Sequence, residues 1–90
     1  MHPRNRRNDH LMRQYGITEK QFNEMLDIQG GLCAICTIPM TPGKATHIDH
    51  DHETGQVRAL LCEHCNRGLG EFYEEPWKLE AAINYLQKGS

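Results

Sequence analysis

The sequence has no apolar run that approaches the roughly 20 residues of a membrane-spanning helix. Its first residues, MHPRNRRNDH, also contain no apolar core of the kind that signal peptides carry. These two absences argue against a membrane protein and against a secreted precursor. By exclusion, we expect an intracellular protein with no membrane partner.

Aromatic residues are also scarce, at 7% of the 90 residues, and hydrophobic residues reach only 38%. The chain is shorter than a typical domain of about 100–150 residues, so it can enclose only one small core. Domains below about 70–80 residues usually need a disulfide, a metal ion or a partner for stability, and this chain lies just above that range. The four cysteines and six histidines are therefore the first candidates for a stabilising site.

Neither sign of charge dominates, because the formal net charge is −2, but the two signs are unevenly placed. Residues 1–20 carry five basic and two acidic side chains, whereas residues 71–80 carry four acidic side chains and one lysine. A basic end can supply the phosphate contacts that dominate nucleic-acid affinity. We interpret residues 1–14 as a basic N-terminal arm with a short helix that starts at Asn8 or Asp9 and closes at Gly16, although a merely solvated terminus fits the same residues.

Local signals in residues 15–90 predict a single small α+β domain. Thr18 and Gln21 fit a capping box at the start of a helix that ends at Gly30-Gly31. A hairpin is predicted from strand-forming residues at 46–49 and 57–60, with turn residues at 53–55 between them. A short helix over 63–71 follows. Pro76 then begins a last helix with apolar residues at helical spacing, and we expect Trp77 to be a core or helix-packing residue rather than a base-stacking platform.

The cysteines stand in two pairs with two-residue gaps, and 25 residues separate the pairs. Such gaps let both thiolates of a pair reach one ion in tetrahedral geometry, so we predict a structural zinc site. Four cysteine ligands leave no open position, and such an ion builds structure rather than catalyses. Two disulfides or a redox dithiol are the alternatives. His64, between the last two cysteines, is a candidate substitute ligand. The predicted ligands are Cys33, Cys36, Cys62 and Cys65.

A second polar cluster, HIDHDH at residues 47–52, holds three histidines and two carboxylates, which is too polar for a core strand. Regular alternation would place His47, Asp49 and Asp51 on one side of the strand and His50 and His52 on the other. Asn66 follows the last cysteine, on the first turn of the next predicted helix. If it faces the Asp-His pair across the hairpin, its amide oxygen can bind a hard divalent cation, although an Asn there also fits a helix cap.

These residue types suit the hydrolysis of a phosphodiester bond. A neutral imidazole, with an ordinary pKa of about 6.5, can take a proton from water at physiological pH. Carboxylate and amide oxygens suit magnesium or manganese, whereas thiolates suit zinc. The separation of soft and hard ligands therefore predicts two different metals.

The stretches GGLCAIC and HIDHDHETGQVRALLCEHCNRGLG resemble the recombination endonuclease VII family, a branch of the HNH or ββα-metal nucleases. The preceding YGITEKQFNEMLDIQGG is similar to that family's lead-in, and the resemblance covers about residues 15–86. It implies a zinc-stapled ββα-metal fold with flanking helices over residues 15–90, and an endonuclease that acts on DNA. Position by position, it implies Asp49 and Asn66 as magnesium ligands and His50 as the general base.

Other residues have less defined roles. His47 and His52 either orient the scissile phosphate and tune the base, or are solvated hairpin residues. Basic side chains that could reach phosphates, or be ordinary surface charges, are Arg58, Arg67, Arg4, Arg6 and Arg7.

The resemblance also bears on assembly and substrate. The junction-resolving members of this family are longer and form intertwined dimers. We therefore expect a monomer that nicks or cleaves ordinary duplex DNA, inside the host cell of a phage. The main alternative is a non-catalytic zinc module that binds nucleic acid through the basic arm. A hydrolase with a catalytic zinc is disfavoured, because no H-E-x-x-H spacing is present.

Overall fold

A computed structural model describes residues 6–41 and 46–88. The elements are α1 (Arg6–Tyr15), α2 (Glu19–Ile28), β1 (His47–His50), β2 (Val57–Leu61), α3 (Glu63–Glu71) and α4 (Pro76–Lys88). The predicted α+β class is confirmed, with one hairpin between two pairs of helices. Arg4, residues 42–45 and the last two residues lie outside the described residues.

Helix α1 begins at Arg6, so the prediction that Arg6 and Arg7 precede the first helix was wrong. The reason is a set of contacts with α2. The Arg7 guanidinium lies 4.8 Å from the ring centroid of Phe22, and its Nε lies 3.6 Å from a carboxylate oxygen of Glu19. Asn8, predicted as a cap of α1, lies inside that helix. Its Oδ1 accepts a hydrogen bond at 2.8 Å from the backbone N–H of Glu19, the first residue of α2.

Helix α2 starts at the predicted capping box. The Thr18 hydroxyl accepts from the Gln21 backbone N–H at 3.1 Å, and the Gln21 side chain accepts from the Thr18 backbone N–H at 2.8 Å. After the helix, Gly30 and Gly31 have φ values of 64° and 73°. Glycine enters this left-handed region without a steric penalty, which explains why the predicted stop lies there.

The hairpin pairs β1 and β2 antiparallel, with His47 opposite Leu61 and Asp49 opposite Ala59. His50 then lies opposite Val57, so Arg58 is an extra residue on β2 and the ladder has a bulge. The extra residue is on β2, and β1 ends at His50, so Asp51 and His52 follow the strand. The alternation considered for the polar cluster, which assumed a regular strand over residues 47–52, therefore does not extend to these two residues.

The core is small and draws on α1, α2, the cysteine knuckle and β2. The Gln29 side chain joins three of these segments, because its Nε2 donates to the carbonyls of Leu32 and Leu60, and its Oε1 accepts from the Leu60 N–H, all at 2.9 Å. The buried apolar residues are Leu11, Phe22, Cys33, Met40, Leu60, Leu61 and Cys62. Two of the seven are predicted metal ligands, so the core and the metal site are one structure.

Helix α3 has the predicted limits, and α4 begins at Pro76 as predicted. Helix α4 nevertheless buries none of its described residues. Trp77 is 64% exposed, so the expectation that it is a core residue was wrong. Helical spacing indicates which side chains share a face, but it does not supply a neighbour to cover that face. Among the described residues, no helix has the length and apolar character needed to span a bilayer.

Candidate active site and four-cysteine cluster

The structure brings the four cysteines together from two places in the chain. Cys33 and Cys36 lie in the knuckle after α2, Cys62 is the N-cap of α3, and Cys65 lies in the first turn of α3. All four sulfur atoms lie within 4.8 Å of one another, and the Sγ atoms of Cys36 and Cys62 are 3.7 Å apart. A tetrahedral zinc with Zn–S bonds of about 2.3 Å requires S···S distances of about 3.8 Å. The cluster therefore fits a structural zinc.

The arrangement disfavours the disulfide alternative, because all four cysteines are free and a disulfide bond requires about 2.05 Å between sulfurs. His64 is exposed and is not a member of this cluster, which is the one candidate metal group among the described residues. The four-cysteine ligand set predicted from the spacing is thus assembled without His64.

The thiols differ in their pKa values. Burial raises the pKa of Cys65 to about 12, with further contributions from the neighbouring thiols of Cys62, Cys36 and Cys33. Burial also acts to raise the pKa of Cys33, but backbone hydrogen bonds from Cys62, Cys36 and Ile35 outweigh it and lower that pKa to about 6. One thiolate is therefore favoured before metal binds. A cation must compensate the charge before the Cys65 thiol ionises.

A cleft of about 420 Å³ lies beside the hairpin, and we call it the hairpin cleft. Residues of the HIDHDH segment and the first turn of α3 line it together, as the sequence predicted for a cation site. The predicted residues that line the cleft are His47, Asp49, His50, His52 and Asn66. Residues of both parities along β1, His47 and Asp49 as well as His50, therefore line one cleft.

Asp49 is buried, with 7% exposure, and is held by the bulged residue Arg58. The Nε of Arg58 donates to Oδ2 of Asp49 at 2.6 Å, and its Nη2 donates to Oδ1 at 3.0 Å. The same Nη2 also donates to Oε1 of Glu74 at 2.6 Å. The hydrogen bonds to Asp49, followed by the bond to Glu74, raise the pKa of Arg58 above its usual range despite partial burial. The arginine therefore stays charged beside Asp49.

The His50 ring lies between two other rings. The Tyr15 ring of α1 meets it edge to face, with centroids 5.8 Å apart, and the His52 ring lies 5.1 Å away on the hairpin. His52 is exposed, and its Nε2 lies 3.1 Å from Oε2 of Glu74. The imidazole of His50 is thus enclosed by side chains of α1 and the hairpin, while it still borders the cleft.

The predicted phosphate contacts have separate locations. Arg7 lines the hairpin cleft, and Arg6 is exposed on α1. Arg67 is exposed on α3 and forms an i,i+4 ion pair with Glu63 at 2.8 Å. Arg58 faces carboxylates, as described above, and Arg4 lies outside the described residues. Of the predicted phosphate contacts that the structure describes, Arg7 is therefore the one that lines the same cleft as His50.

The donor atoms at the cleft fit a hard divalent cation. Asp49 supplies a carboxylate and Asn66 an amide oxygen, the ligand types that magnesium and manganese prefer. Each oxygen of Asp49 accepts one hydrogen bond from Arg58 and keeps a second lone pair, so the ion pair leaves the carboxylate able to bind a metal.

Three residues at the cleft were missed by the sequence analysis, namely His10, Tyr15 and Glu74. His10 and Tyr15 lie on α1, far along the chain from the HIDHDH segment, and no local pattern links them to it. Glu74 was counted only as part of an acidic segment. The sequence signal for these residues would have to be a long-range contact, which a single sequence does not display.

A ββα-metal endonuclease fold follows from this geometry, in which a hairpin bearing Asp and His is followed by a helix bearing Asn. The crystal structure of the ββα-Me type II restriction endonuclease Hpy99I superposes with a TM-score of 0.60 at 31% identity, over 91% of this chain and 48% of that chain. The recombination endonuclease VII family model matches residues 8–88. The chain belongs to that family, which confirms the resemblance inferred from its motifs.

Two phage proteins are similar in sequence. The Gene 59 protein of Mycobacterium phage D29 is 40% identical over 79 residues, which cover 87% of this chain and 48% of that protein. The Gene 59 protein of Mycobacterium phage L5 is 42% identical over 57 residues, which cover 63% of this chain and 35% of that protein. This chain therefore spans half or less of the length of these relatives.

Proposed function

We propose that this protein is a metal-dependent DNA endonuclease that hydrolyses phosphodiester bonds and nicks or cleaves duplex DNA within a host cell. The observation that carries the proposal is that Asp49, His50 and Asn66 line one cleft in a chain of the endonuclease VII family. Zinc in the four-cysteine cluster would hold the hairpin and α3 in this arrangement, because Cys62 and Cys65 cap and begin α3.

In this proposal His50 is the general base. Its imidazole takes a proton from water, whose oxygen forms a bond to phosphorus while the bond from phosphorus to the 3′ oxygen breaks. The 3′ oxygen takes a proton from a solvent water as it leaves, so the products carry a 5′-phosphate and a 3′-hydroxyl. Tyr15 and His52 flank His50 and orient its ring towards the cleft.

Asp49 and Asn66 would hold a magnesium or manganese ion in the hairpin cleft. When bound, such an ion supplies charge neutralisation at the phosphate and the leaving oxygen. Arg7, on the same cleft, is placed to contact a phosphate of the bound DNA, and Arg6 and Arg67 offer further positive charge on exposed surfaces. The substrate class is therefore polyanionic DNA.

The test uses supercoiled plasmid and zinc-loaded protein, with and without added magnesium. We expect nicked or linear product only with magnesium. Asn66→Ala and Asp49→Asn should abolish or severely reduce cleavage while one zinc per chain is kept. Asn23→Ala and Asp27→Asn are matched controls, because both residues are exposed on α2, and they should cleave as the wild type does.

Two outcomes would contradict the proposal. Wild-type protein that binds DNA but does not cleave it in magnesium or manganese would be the non-catalytic zinc module considered above. Loss of zinc from Asn66→Ala or Asp49→Asn would show that the structural and catalytic sites are not separate.

A further inference from the structure

Glu74 is a carboxylate that neither the family motifs nor the sequence analysis assigned to the site. It lies in the turn between α3 and α4, and its side chain is 19% exposed. Each of its two oxygens faces a different side chain of the hairpin. Oε1 accepts from Nη2 of Arg58 at 2.6 Å, and Oε2 lies 3.1 Å from Nε2 of His52. One carboxylate thus joins a side chain of β2 and a side chain of the hairpin turn to the end of α3.

The backbone that carries Glu74 has an unusual conformation. Helix α3 ends in a Schellman motif, with the Tyr73 N–H bonded to the Gly70 carbonyl at 3.0 Å and the Glu74 N–H bonded to the Leu69 carbonyl at 2.8 Å. Glycine usually occupies the left-handed position of this motif, but here Tyr73 and Glu74 have φ values of 55° and 56°. Two consecutive non-glycine residues in this region cost roughly 1–2 kcal/mol each. Such strain is typical of functional sites.

Arg58, the hairpin residue of β2 that binds Glu74, is also held in a defined position. Arg58 is the extra residue of the bulge in β2, and bulges next to active sites redirect a side chain. The guanidinium spans Asp49 and Glu74, and its Nη2 also lies 3.3 Å from the His50 carbonyl. Its orientation is therefore set from both ends, by the proposed metal ligand on one side and by Glu74 on the other.

We propose that Glu74 is a positioning residue of the active site, which holds Arg58 against the Asp49 carboxylate and fixes the His52 imidazole beside His50. The inference rests on the proposed nuclease function. Without the Glu74 charge, the guanidinium loses its second anchor, and the carboxylate of Asp49 and the ring of His52 lose the contacts that orient them. Partners behind a metal ligand that orient it typically contribute 10- to 100-fold to metal affinity or activity.

The test compares Glu74→Gln with Glu75→Gln, which removes the same charge from the next residue. Glu75 is paired with Lys78 at 3.4 Å, and its side chain has no hydrogen bond or ion pair to a hairpin side chain within the described residues 6–41 and 46–88. In zinc-loaded protein with saturating magnesium, we expect Glu74→Gln to lower the single-turnover cleavage rate by about 10- to 100-fold. DNA affinity without magnesium should be equal to or tighter than that of the wild type in both variants, because each removes a negative charge. Glu75→Gln should keep the wild-type rate.

A second readout does not depend on cleavage. Nitrogen-15 NMR of the Arg58 guanidinium, in zinc-loaded protein without magnesium, measures rotation about its Cζ–Nη bonds. We expect slow rotation in the wild type and in Glu75→Gln, and faster rotation in Glu74→Gln. Zinc content and melting temperature verify that each variant is folded.

The outcomes separate the two claims. An unchanged rotation rate in folded Glu74→Gln would overturn the positioning role, whether or not the protein cleaves DNA. An active wild type with an equally active Glu74→Gln would overturn it too. Weaker DNA binding in step with a lower rate would indicate a merely structural role and would also contradict the proposal. An inactive wild type would refute the proposed function, while the NMR comparison would still decide whether Glu74 holds Arg58.

Discussion

Removal of zinc is expected to unfold the hairpin and the cysteine knuckle. The perturbation acts on the core itself, because Cys33 and Cys62 are among the seven buried apolar residues. The apolar remainder among the described residues is small and consists of Leu11, Phe22, Met40, Leu60 and Leu61. A core of this size leaves little stability without the metal.

The magnitude can be set against the stability of the whole protein. Structural zinc sites contribute about 10–16 kcal/mol of apparent binding free energy at pH 7 in zinc-finger peptides. Native domains have total stabilities of about 5–15 kcal/mol, and this chain belongs at the low end by size. The free energy that is lost with the zinc therefore exceeds the stability that the remaining contacts supply. The chain without zinc should lose β1, β2 and the start of α3, which Cys62 caps.

The assay is far-UV circular dichroism and thermal unfolding of protein stripped by a strong chelator, with zinc content measured on the same sample. We expect loss of the native spectrum and its recovery on addition of one equivalent of zinc. Addition of magnesium alone is the control and should not restore it. A verified zinc-free sample with the native spectrum and melting temperature would refute the reasoning.

Two further predictions concern protons and packing. The pKa values of Cys36 and Cys65 are raised, so both thiols carry protons at pH 7. Zinc binding should therefore release at least two protons and should strengthen as the pH rises. Calorimetry in buffers of different ionisation enthalpy counts the released protons, and a release of one or fewer would contradict the prediction. Gln29→Ala should lower the free energy of unfolding by roughly 1–3 kcal/mol, because the backbone N–H of Leu60 loses its partner. Denaturant unfolding measures the change. The exposed Gln56→Ala is the control, and equal stabilities of the two variants would show that this bridge contributes nothing.

The parts of the fold that follow from local chemistry could be predicted from the sequence. The capping box at Thr18, the hairpin and the limits of α3 depend on neighbouring residues, and the structure has each of them. The four-cysteine cluster was also predictable, because tetrahedral coordination of one metal ion restricts the number of residues between two cysteine ligands such as Cys33 and Cys36.

The remainder depends on contacts between distant segments. Asn8 carries the signature of a cap but caps the following helix, since α1 packs beside α2. The bulge at Arg58 is a mismatch between two strands, and neither strand's periodicity reveals it. The exposure of Trp77 likewise depends on which element covers α4, a fact that the amphipathic pattern does not contain.

The candidate site also contains residues that the sequence predicted and residues that only the tertiary structure shows. The sequence located Asp49, His50 and Asn66, and the structure brings all three to one cleft. It did not locate Glu74, whose connection to the site runs through Arg58 across a turn with two left-handed residues. Motifs indicate the candidate residues for the chemistry. Which residues contact and orient those candidates depends on the tertiary fold.

The most direct test of the central claim is the single-turnover cleavage rate of His50→Ala in saturating magnesium, measured beside the wild type and the exposed control His64→Ala. A general base contributes about 10²- to 10⁴-fold, so we expect a loss of that size in His50→Ala, unchanged DNA affinity, and full activity in His64→Ala. The product ends should be 5′-phosphate and 3′-hydroxyl. Cleavage by His50→Ala within a few-fold of the wild type, from acidic to mildly basic pH, would contradict the role of His50 and with it the proposed mechanism.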